Sequence, residues 1–158
     1  MTLKEFIYNA LKVKFKDKGR TYSGWDCYGP AFLGYRDILG IILPSFIDDY
    51  VNAGDTKASR RVIHDIIISQ KHNWDKIDKP QAMDIVLFRF GDTETHLGLM
   101  VDKNRFLHCE RKINTVIERI DSAKWKNRIE GIYRLKGGIV ELGNLRDGYT
   151  SKRIDNVE

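Results

Sequence analysis

The chain has 158 residues, of which 42% are hydrophobic and 31% are charged, and its 27 Lys and Arg against 22 Asp and Glu give a net charge of +5. This length and composition predict one soluble globular domain without a membrane span or a signal peptide. Two cysteines are too few for a disulfide scaffold. The positive excess is small and scattered, which makes nucleic-acid binding the least favoured function.

The N-terminal half is predicted to be helical. Thr2 and Glu5 have the spacing of a capping box, and Phe6 and Ala10 belong to the apolar face that follows it. Apolar residues recur at helical spacing in two later segments as well. Three helices are therefore expected, over about 2–11, 27–39 and 56–71.

The C-terminal half has the pattern of an antiparallel sheet. Short apolar runs alternate with polar or Gly-containing turns, and they predict about five strands over 85–90, 96–101, 105–109, 115–120 and 131–135. A short helix is expected over 122–126 and a loop over 73–83. Helices followed by such a sheet indicate an α+β domain over 1–135, while 136–158 reads as a C-terminal extension or docking arm.

Cys27 occupies the entrance of the second predicted helix. Asp26 is a good helix-capping residue, and a cysteine at a helix N-terminus is favoured as the nucleophilic thiolate. The alternative is a small side chain that only packs under the helix. Pro30 has no N–H to donate, so either the helix begins a residue or two later or its first turn is irregular.

Two histidines complete a candidate catalytic set. His96 and His108 lie on neighbouring predicted strands, and alternation allows both imidazoles to share one face of the sheet, facing Cys27. In a thiol peptidase, His96 would take the thiol proton and His108 would fix the tautomer of His96. Backbone N–H groups at the helix start, with Tyr22 nearby, would hold the oxyanion.

A metal centre is the less favoured alternative for these residues. Cys27, His96, His108 and Cys109 do not have the spacing of a common zinc site. Cys109 follows His108 directly and should point to the other face of the sheet, into the core. Neither a metal nor a cofactor is therefore expected.

Several segments together resemble the NlpC-type cell-wall cysteine peptidases. The matching segments are Asp26-Cys27-Tyr28-Gly29, Met83–Phe88, His96–Leu99 and Arg105–His108. Further segments are similar to the subgroup of this family found in tailed-phage tail tips: Tyr35-Arg36, Leu39-Gly40-Ile41, Leu43-Pro44, Trp125, Arg128 and Gly131–Arg134. The chain departs from the family at Pro30, where Leu is usual, and at Met83, where Gly is usual.

The resemblance implies a papain-like fold with Cys27 as nucleophile, His96 as base and His108 as the orienting residue. Tyr22 falls where the family often has an active-site tyrosine, and Asp26 would support the same site. The implied substrates are peptide stems of peptidoglycan, commonly cut after γ-D-glutamate.

The implied setting is a phage tail, where the enzyme would open the wall or trim a tail component during assembly. Its partners would then be other tail-tip proteins, contacted through 136–158, and its location the virion or the host cytoplasm. Two other functions stay open: a catalytically silent tail-tip or assembly subunit, and a thiol acyltransferase or amidase on the same scaffold.

Overall fold

The computed structural model describes residues 1–49, 57–137 and 152–153. Its α-helices are α1 (Leu3–Ala10), α2 (Gly29–Leu39) and α3 (Lys57–Gln70), with a 3-10 turn over Lys71–Asn73. The strands are β1 (Arg20–Thr21), β2 (Gly24–Trp25), β3 (Ile41–Ile42), β4 (Trp74–Lys76), β5 (Ile85–Phe90), β6 (Thr93–Met100), β7 (Arg105–Glu110), β8 (Asn114–Arg119), β9 (Ile129–Leu135) and β10 (Lys152–Arg153). Within these ranges, no helix has the length and apolar character that a membrane crossing requires.

Six of the strands form one antiparallel sheet in the order β4-β9-β5-β6-β7-β8. The expected α+β class is confirmed, and the four strands from β5 to β8 follow one another as a meander. The sheet has one strand more than the five expected. The extra strand is β4, a three-residue edge strand inside the segment predicted as a loop, and it is too short to show an alternating pattern.

Two apolar clusters cover the two faces of the sheet. Ile85 and Leu87 of β5 belong to the larger cluster, together with residues of α1 and α2, whereas Val86 and Phe88 belong to a smaller cluster around Trp125. Burial on both faces explains why β5 is a continuous apolar run rather than an alternating one. The helices therefore lie against one face, and the second cluster lies on the other.

The helical predictions hold with small shifts of their boundaries. Thr2 Oγ1 accepts a hydrogen bond from the Glu5 N–H, and the Glu5 carboxylate accepts one from the Thr2 N–H, which confirms the capping box of α1. Gly40 ends α2 with a left-handed φ of 66°, a conformation that glycine adopts without strain. The side chains of Val62 and Ile63, predicted on the inner face of α3, lie outside the described residues.

Two further predictions concern the short helix over 122–126 and the C-terminal arm over 136–158. The helix predicted over 122–126 is wrong: this segment forms hydrogen-bonded turns, in which the N–H groups of Trp125 and Lys126 both donate to the Ser122 carbonyl. The C-terminal arm over 136–158 falls almost entirely outside the described residues. The part that is described, β10, pairs in parallel with β3, and the role of the arm stays a prediction.

Candidate active site

Cys27 lies two residues before the first residue of α2. The helix begins at Gly29, with Tyr28 at its N-cap and Pro30 in its first turn, so the expectation that Asp26 caps the helix is wrong. The later start is the outcome that Pro30 favours, because proline fits the first turn, where its missing N–H costs no helical hydrogen bond. Cys27 is therefore part of a turn that leads into the helix.

Asp26 shapes that turn instead of capping the helix. Its Oδ1 accepts hydrogen bonds from the Tyr28 N–H at 3.0 Å and from Arg20 Nη1 at 2.8 Å. Arg20 also donates through Nη1 to the Gly19 carbonyl and through Nε to the Ser45 carbonyl. Both charged side chains are almost fully buried, and such a pair keeps its stability only while every donor and acceptor is satisfied. Asp26 and Arg20 thus fix the backbone on both sides of Cys27.

The Cys27 side chain is half-buried beside an apolar cavity of about 120 Å³. The apolar side chains that line it include Ala31, Leu43, Ile85, Leu87 and Leu97. Burial in these surroundings, together with the charge of Asp26, raises the pKa of the thiol to about 12, although a hydrogen bond from the Leu97 backbone and the charge of Arg20 act in the opposite direction.

The resting form of Cys27 is consequently the neutral thiol. This differs from the thiolate expected of a cysteine at a helix N-terminus, because the helix begins two residues later and desolvation outweighs the favourable charges. A neutral thiol needs a base to remove its proton before it can act as a nucleophile.

His96 and His108 form a hydrogen-bonded pair, as predicted from their positions on adjacent strands. The His96 Nε2 and His108 Nδ1 atoms are 3.0 Å apart, and the two rings meet edge to face. His96 on β6 is 7% exposed and His108 on β7 is fully buried. Two imidazoles held this way share one proton between the facing nitrogens, so the tautomer of one fixes the tautomer of the other.

Both imidazoles are neutral in the folded protein. Burial lowers the pKa of His96 well below its ordinary value, and the nearby positive charge of Lys124 and competition with His108 for a proton lower it further. Burial also lowers the pKa of His108, although its hydrogen bond to Glu118 acts in the opposite direction. A neutral imidazole has an unprotonated nitrogen, which is what a general base requires.

The expectation that both imidazoles face Cys27 is wrong: Leu97 lines the Cys27 cavity, whereas the neighbouring His96 points to the other face of the sheet. The Leu97 N–H reaches the sulfur, whereas the His96 ring stacks on Trp125 in the second apolar cluster. Among the described residues, no hydrogen bond joins the Cys27 sulfur to either imidazole. The catalytic roles of Cys27, His96 and His108 stay predictions.

Tyr22 and two of the backbone N–H groups at the helix start are engaged in other contacts. The Tyr22 hydroxyl donates to Asp37 Oδ2 at 2.7 Å, and Tyr22 is not among the residues that line the Cys27 cavity. The Tyr28 N–H donates to the Asp26 side chain and the Gly29 N–H to the Asp26 carbonyl, while Pro30 has no N–H. The supporting role of Tyr22 stays a prediction.

The four residues considered for a zinc site do not form one ligand set among the described residues, although His96 and His108 are paired. Cys109 points into the core, as predicted, and its thiol donates to the Trp25 carbonyl at 3.6 Å. In the described ranges, the set that could approach a metal is His96, His108 and Glu110, whose ligand atoms lie within 4.8 Å of one another. The two facing imidazole nitrogens already bond to each other, however, and Lys124 pairs with Glu110 at 3.2 Å.

Two residues that the sequence did not single out as site residues complete the histidine pair. Glu118 on β8 accepts a hydrogen bond from His108 Nε2 at 2.6 Å, and the Trp125 indole N–H donates to the same carboxylate oxygen at 2.9 Å. In the sequence, only the family resemblance marks Trp125. One feature places Glu118 near His108. Glu118 pairs with Phe106 in the β7–β8 register, and strand alternation puts the side chains of Phe106 and His108 on the same face of the sheet.

Comparison with known proteins gives sequence relatives that are named as murein peptidases. The chain is 24% identical over 116 residues to the murein DD-endopeptidase MepS/murein LD-carboxypeptidase of Escherichia coli K12. The match covers 73% of this chain and 52% of that protein, so the chain spans about half the length of the curated relatives it matches.

Solved structures of two related proteins share the fold. An NLP/P60 family protein of Staphylococcus aureus, described as similar to lipoprotein, aligns with a TM-score of 0.55 at 22% identity over 84% of this chain and 41% of its own. An NlpC/P60 family protein of Bacillus cereus aligns with a TM-score of 0.58 at 17% identity over 85% of this chain and 40% of its own. At these identities the likeness concerns the fold, which is papain-like.

The family assignment comes from a match over most of the chain. The profile of the NlpC/P60 family matches residues 12–134, a range that contains Cys27, both paired histidines and all of the six-stranded sheet except its last residue, Leu135. The chain therefore belongs to the NlpC/P60 family.

Proposed function

We propose that this chain is a cysteine peptidase that cleaves the peptide stems of peptidoglycan, with Cys27 as nucleophile and His96 as general base. The observation that carries the proposal is the hydrogen-bonded His96–His108 pair, together with a cavity-lining Cys27 whose sulfur accepts a hydrogen bond from the backbone of Leu97, the residue after His96. The similarity to a murein endopeptidase of Escherichia coli supports the substrate class.

The reaction begins with a neutral Cys27 thiol and a neutral His96 imidazole. His108 accepts the Nε2–H of His96, so Nδ1 of His96 is the nitrogen left to take the thiol proton. The sulfur attacks the carbonyl carbon of the scissile bond, and the protonated His96 then gives its proton to the leaving amine. Water attacks the resulting thioester, with His96 again acting as base, and the free thiol is regenerated.

The site of action that we propose is a phage tail tip. The support is the resemblance of the segments around Tyr35-Arg36, Leu39–Ile41 and Leu43-Pro44 to the tail-tip subgroup. There the enzyme would open the wall for DNA entry or trim a tail protein during assembly, in contact with other tail-tip proteins. Recovery of the chain from purified virions tests this setting, and its absence from them contradicts it.

A thiol acyltransferase is the second candidate, and the lining of the cavity favours it. The cavity beside Cys27 is surrounded mainly by aliphatic and aromatic side chains, which suit an apolar acyl group better than a charged peptide stem. In that case an amine rather than water would attack the thioester, and the product would carry the amine instead of an added water.

The test is incubation with peptidoglycan from several bacteria, followed by mass spectrometry of the released peptides. Wild-type protein is expected to release stem fragments with one water added per cleavage, whereas Cys27→Ala and His96→Ala are expected to release none. Cys109→Ala is the matched control, because it removes the other thiol, which lies in the core. Equal cleavage by Cys27→Ala would overturn the proposal, and a folded but inactive wild type would favour a structural subunit.

A further inference from the structure

We propose that Glu118 is a positioning residue that sets the tautomers of both His108 and His96, an inference that rests on the proposed function. The geometry that carries it is a chain of three hydrogen bonds. It runs from the Trp125 indole to the Glu118 carboxylate, from His108 Nε2 to that carboxylate, and from His96 Nε2 to His108 Nδ1.

The carboxylate decides which nitrogen of His108 carries the proton. An ionised carboxylate only accepts hydrogen bonds, so the His108 Nε2 atom at 2.6 Å from Glu118 Oε2 must be the protonated nitrogen. Burial would raise the pKa of Glu118, but the hydrogen bonds from Trp125 and His108 outweigh it and keep the pKa below its ordinary value. Glu118 is therefore ionised at neutral pH.

The tautomer of His96 follows from that of His108. Because neutral His108 carries its proton on Nε2, its Nδ1 can only accept a hydrogen bond. The donor is His96 Nε2 at 3.0 Å, so neutral His96 also has its proton on Nε2 and its lone pair on Nδ1. Glu118 thus determines, through two successive hydrogen bonds, which His96 nitrogen is free to act as a base.

Trp125 holds the carboxylate in place for this purpose. Its indole N–H donates to the same Oε2 atom that accepts from His108, and its ring stacks on His96 with an interplanar angle of 14°. Trp125 is fully buried, so the indole is a rigid support. Glu118 itself is accessible on one side, with 31% of its side chain exposed, and it does not touch the reacting atoms.

The first measurement is nitrogen NMR of the imidazoles, which requires no substrate. In the wild-type protein, His108 and His96 are each expected to show a protonated Nε2 and an unprotonated Nδ1. In Glu118→Gln the charge is lost, and the new amide can donate to His108 Nε2, so a shift toward the other tautomer is expected in both rings. A wild-type His108 protonated on Nδ1 would overturn the proposal.

The second measurement is the kinetics of peptidoglycan cleavage. In Glu118→Gln, kcat is expected to fall roughly 10- to 100-fold, by analogy with the loss of a carboxylate that orients a metal-binding histidine, with KM nearly unchanged. Glu110→Gln is the matched control. It removes a carboxylate 3.7 Å from Nδ1 of the same imidazole without touching the Nε2 hydrogen bond, and it should keep both the tautomers and kcat.

The two proposals fail in different ways. Unchanged tautomers and unchanged kcat in Glu118→Gln, or an equal loss of kcat in Glu110→Gln, would overturn the positioning role. A wild-type protein that cleaves nothing but shows the expected tautomers would overturn the peptidase function and leave the assignment of the protons in place. Thermal unfolding of each variant checks that the fold is retained.

Discussion

Arg134 donates two parallel hydrogen bonds to the carboxylate of Asp84, from Nε to Oδ1 and from Nη2 to Oδ2, each 2.8 Å long. The Asp84 side chain is fully buried, and the Gln81 backbone N–H donates to it as well. Asp84 directly precedes β5 and Arg134 belongs to β9, the neighbouring strand. The pair therefore locks two central strands of the sheet at one end.

Removal of this arginine should be costly. In Arg134→Ala, a buried carboxylate loses its counter-charge, and we expect a loss of about 3 kcal/mol in the free energy of unfolding, measured with urea. Arg119→Ala is the matched control, because Arg119 binds Asp121 with the same two-bond geometry at an exposed site. That control should lose less than about 1 kcal/mol. Similar losses in both variants would contradict the prediction.

Gly29 is predicted to tolerate no side chain. A Cβ atom at this position would lie 2.1 Å from the Trp25 Cβ, a distance that requires the turn around Cys27 to move. We expect Gly29→Ala to destabilise the protein by about 2–3 kcal/mol and to lower activity as well.

Gly34 in the same helix provides the comparison for Gly29. There a Cβ atom would meet the end of the Leu99 side chain at 2.9 Å and the edge of the Phe6 ring at 3.3 Å, both side-chain atoms, and alanine also favours the helix. Gly34→Ala should therefore change stability by no more than about 1 kcal/mol. Unfolding curves of the two variants give both values, and a larger loss in Gly34→Ala would show that the tight contact at Trp25 is not limiting.

Alkylation of Cys27 should be slow at neutral pH. With a pKa of about 12, the thiolate fraction is so small that reaction with iodoacetamide should be at least about 100-fold slower than that of a free cysteine. The rate should rise about tenfold per pH unit between pH 7 and 9.

Mass spectrometry of labelled peptides distinguishes Cys27 from Cys109, which is almost fully buried. Fast labelling of Cys27 that levels off below pH 8 would contradict this prediction. It would indicate a thiolate stabilised by an imidazolium in the resting enzyme.

The stability of the protein should fall as the pH falls below about 6.5. Burial lowers the pKa of both His96 and His108 in the folded state, so the unfolded chain, with ordinary pKa values near 6.5, binds protons more readily. The stabilisation is therefore complete above that pH and is lost below it, by up to about 1.4 kcal/mol per pH unit for each histidine.

Urea unfolding at pH values from 5 to 8 measures this slope. His96→Gln should make the slope shallower, whereas Cys27→Ala, which leaves both imidazoles in place, should keep it. An equal slope in the wild type and in His96→Gln would mean that His96 does not contribute.

Local patterns in the sequence were sufficient for most of the fold. The capping box at Thr2 and Glu5, the glycine that ends α2 and the apolar runs of β5 to β9 are short-range signals, because caps, turns and alternation depend on neighbouring residues. Where the pattern was short or weak, as in β4 and the turns over 122–128, packing against the sheet decided the conformation.

Some features of the candidate site also follow from the sequence alone, whereas others follow only from the tertiary structure. The sequence by itself determined the family, the pairing of His96 with His108 and the inward direction of Cys109, since the order of motifs and strand alternation are sufficient for these. The tertiary structure alone decided that Cys27 rests as a neutral thiol, that Tyr22 bonds to Asp37 and that Glu118 completes the histidine pair. Desolvation and hydrogen bonds between distant segments depend on what surrounds a group in space, which the order of residues along the chain does not specify.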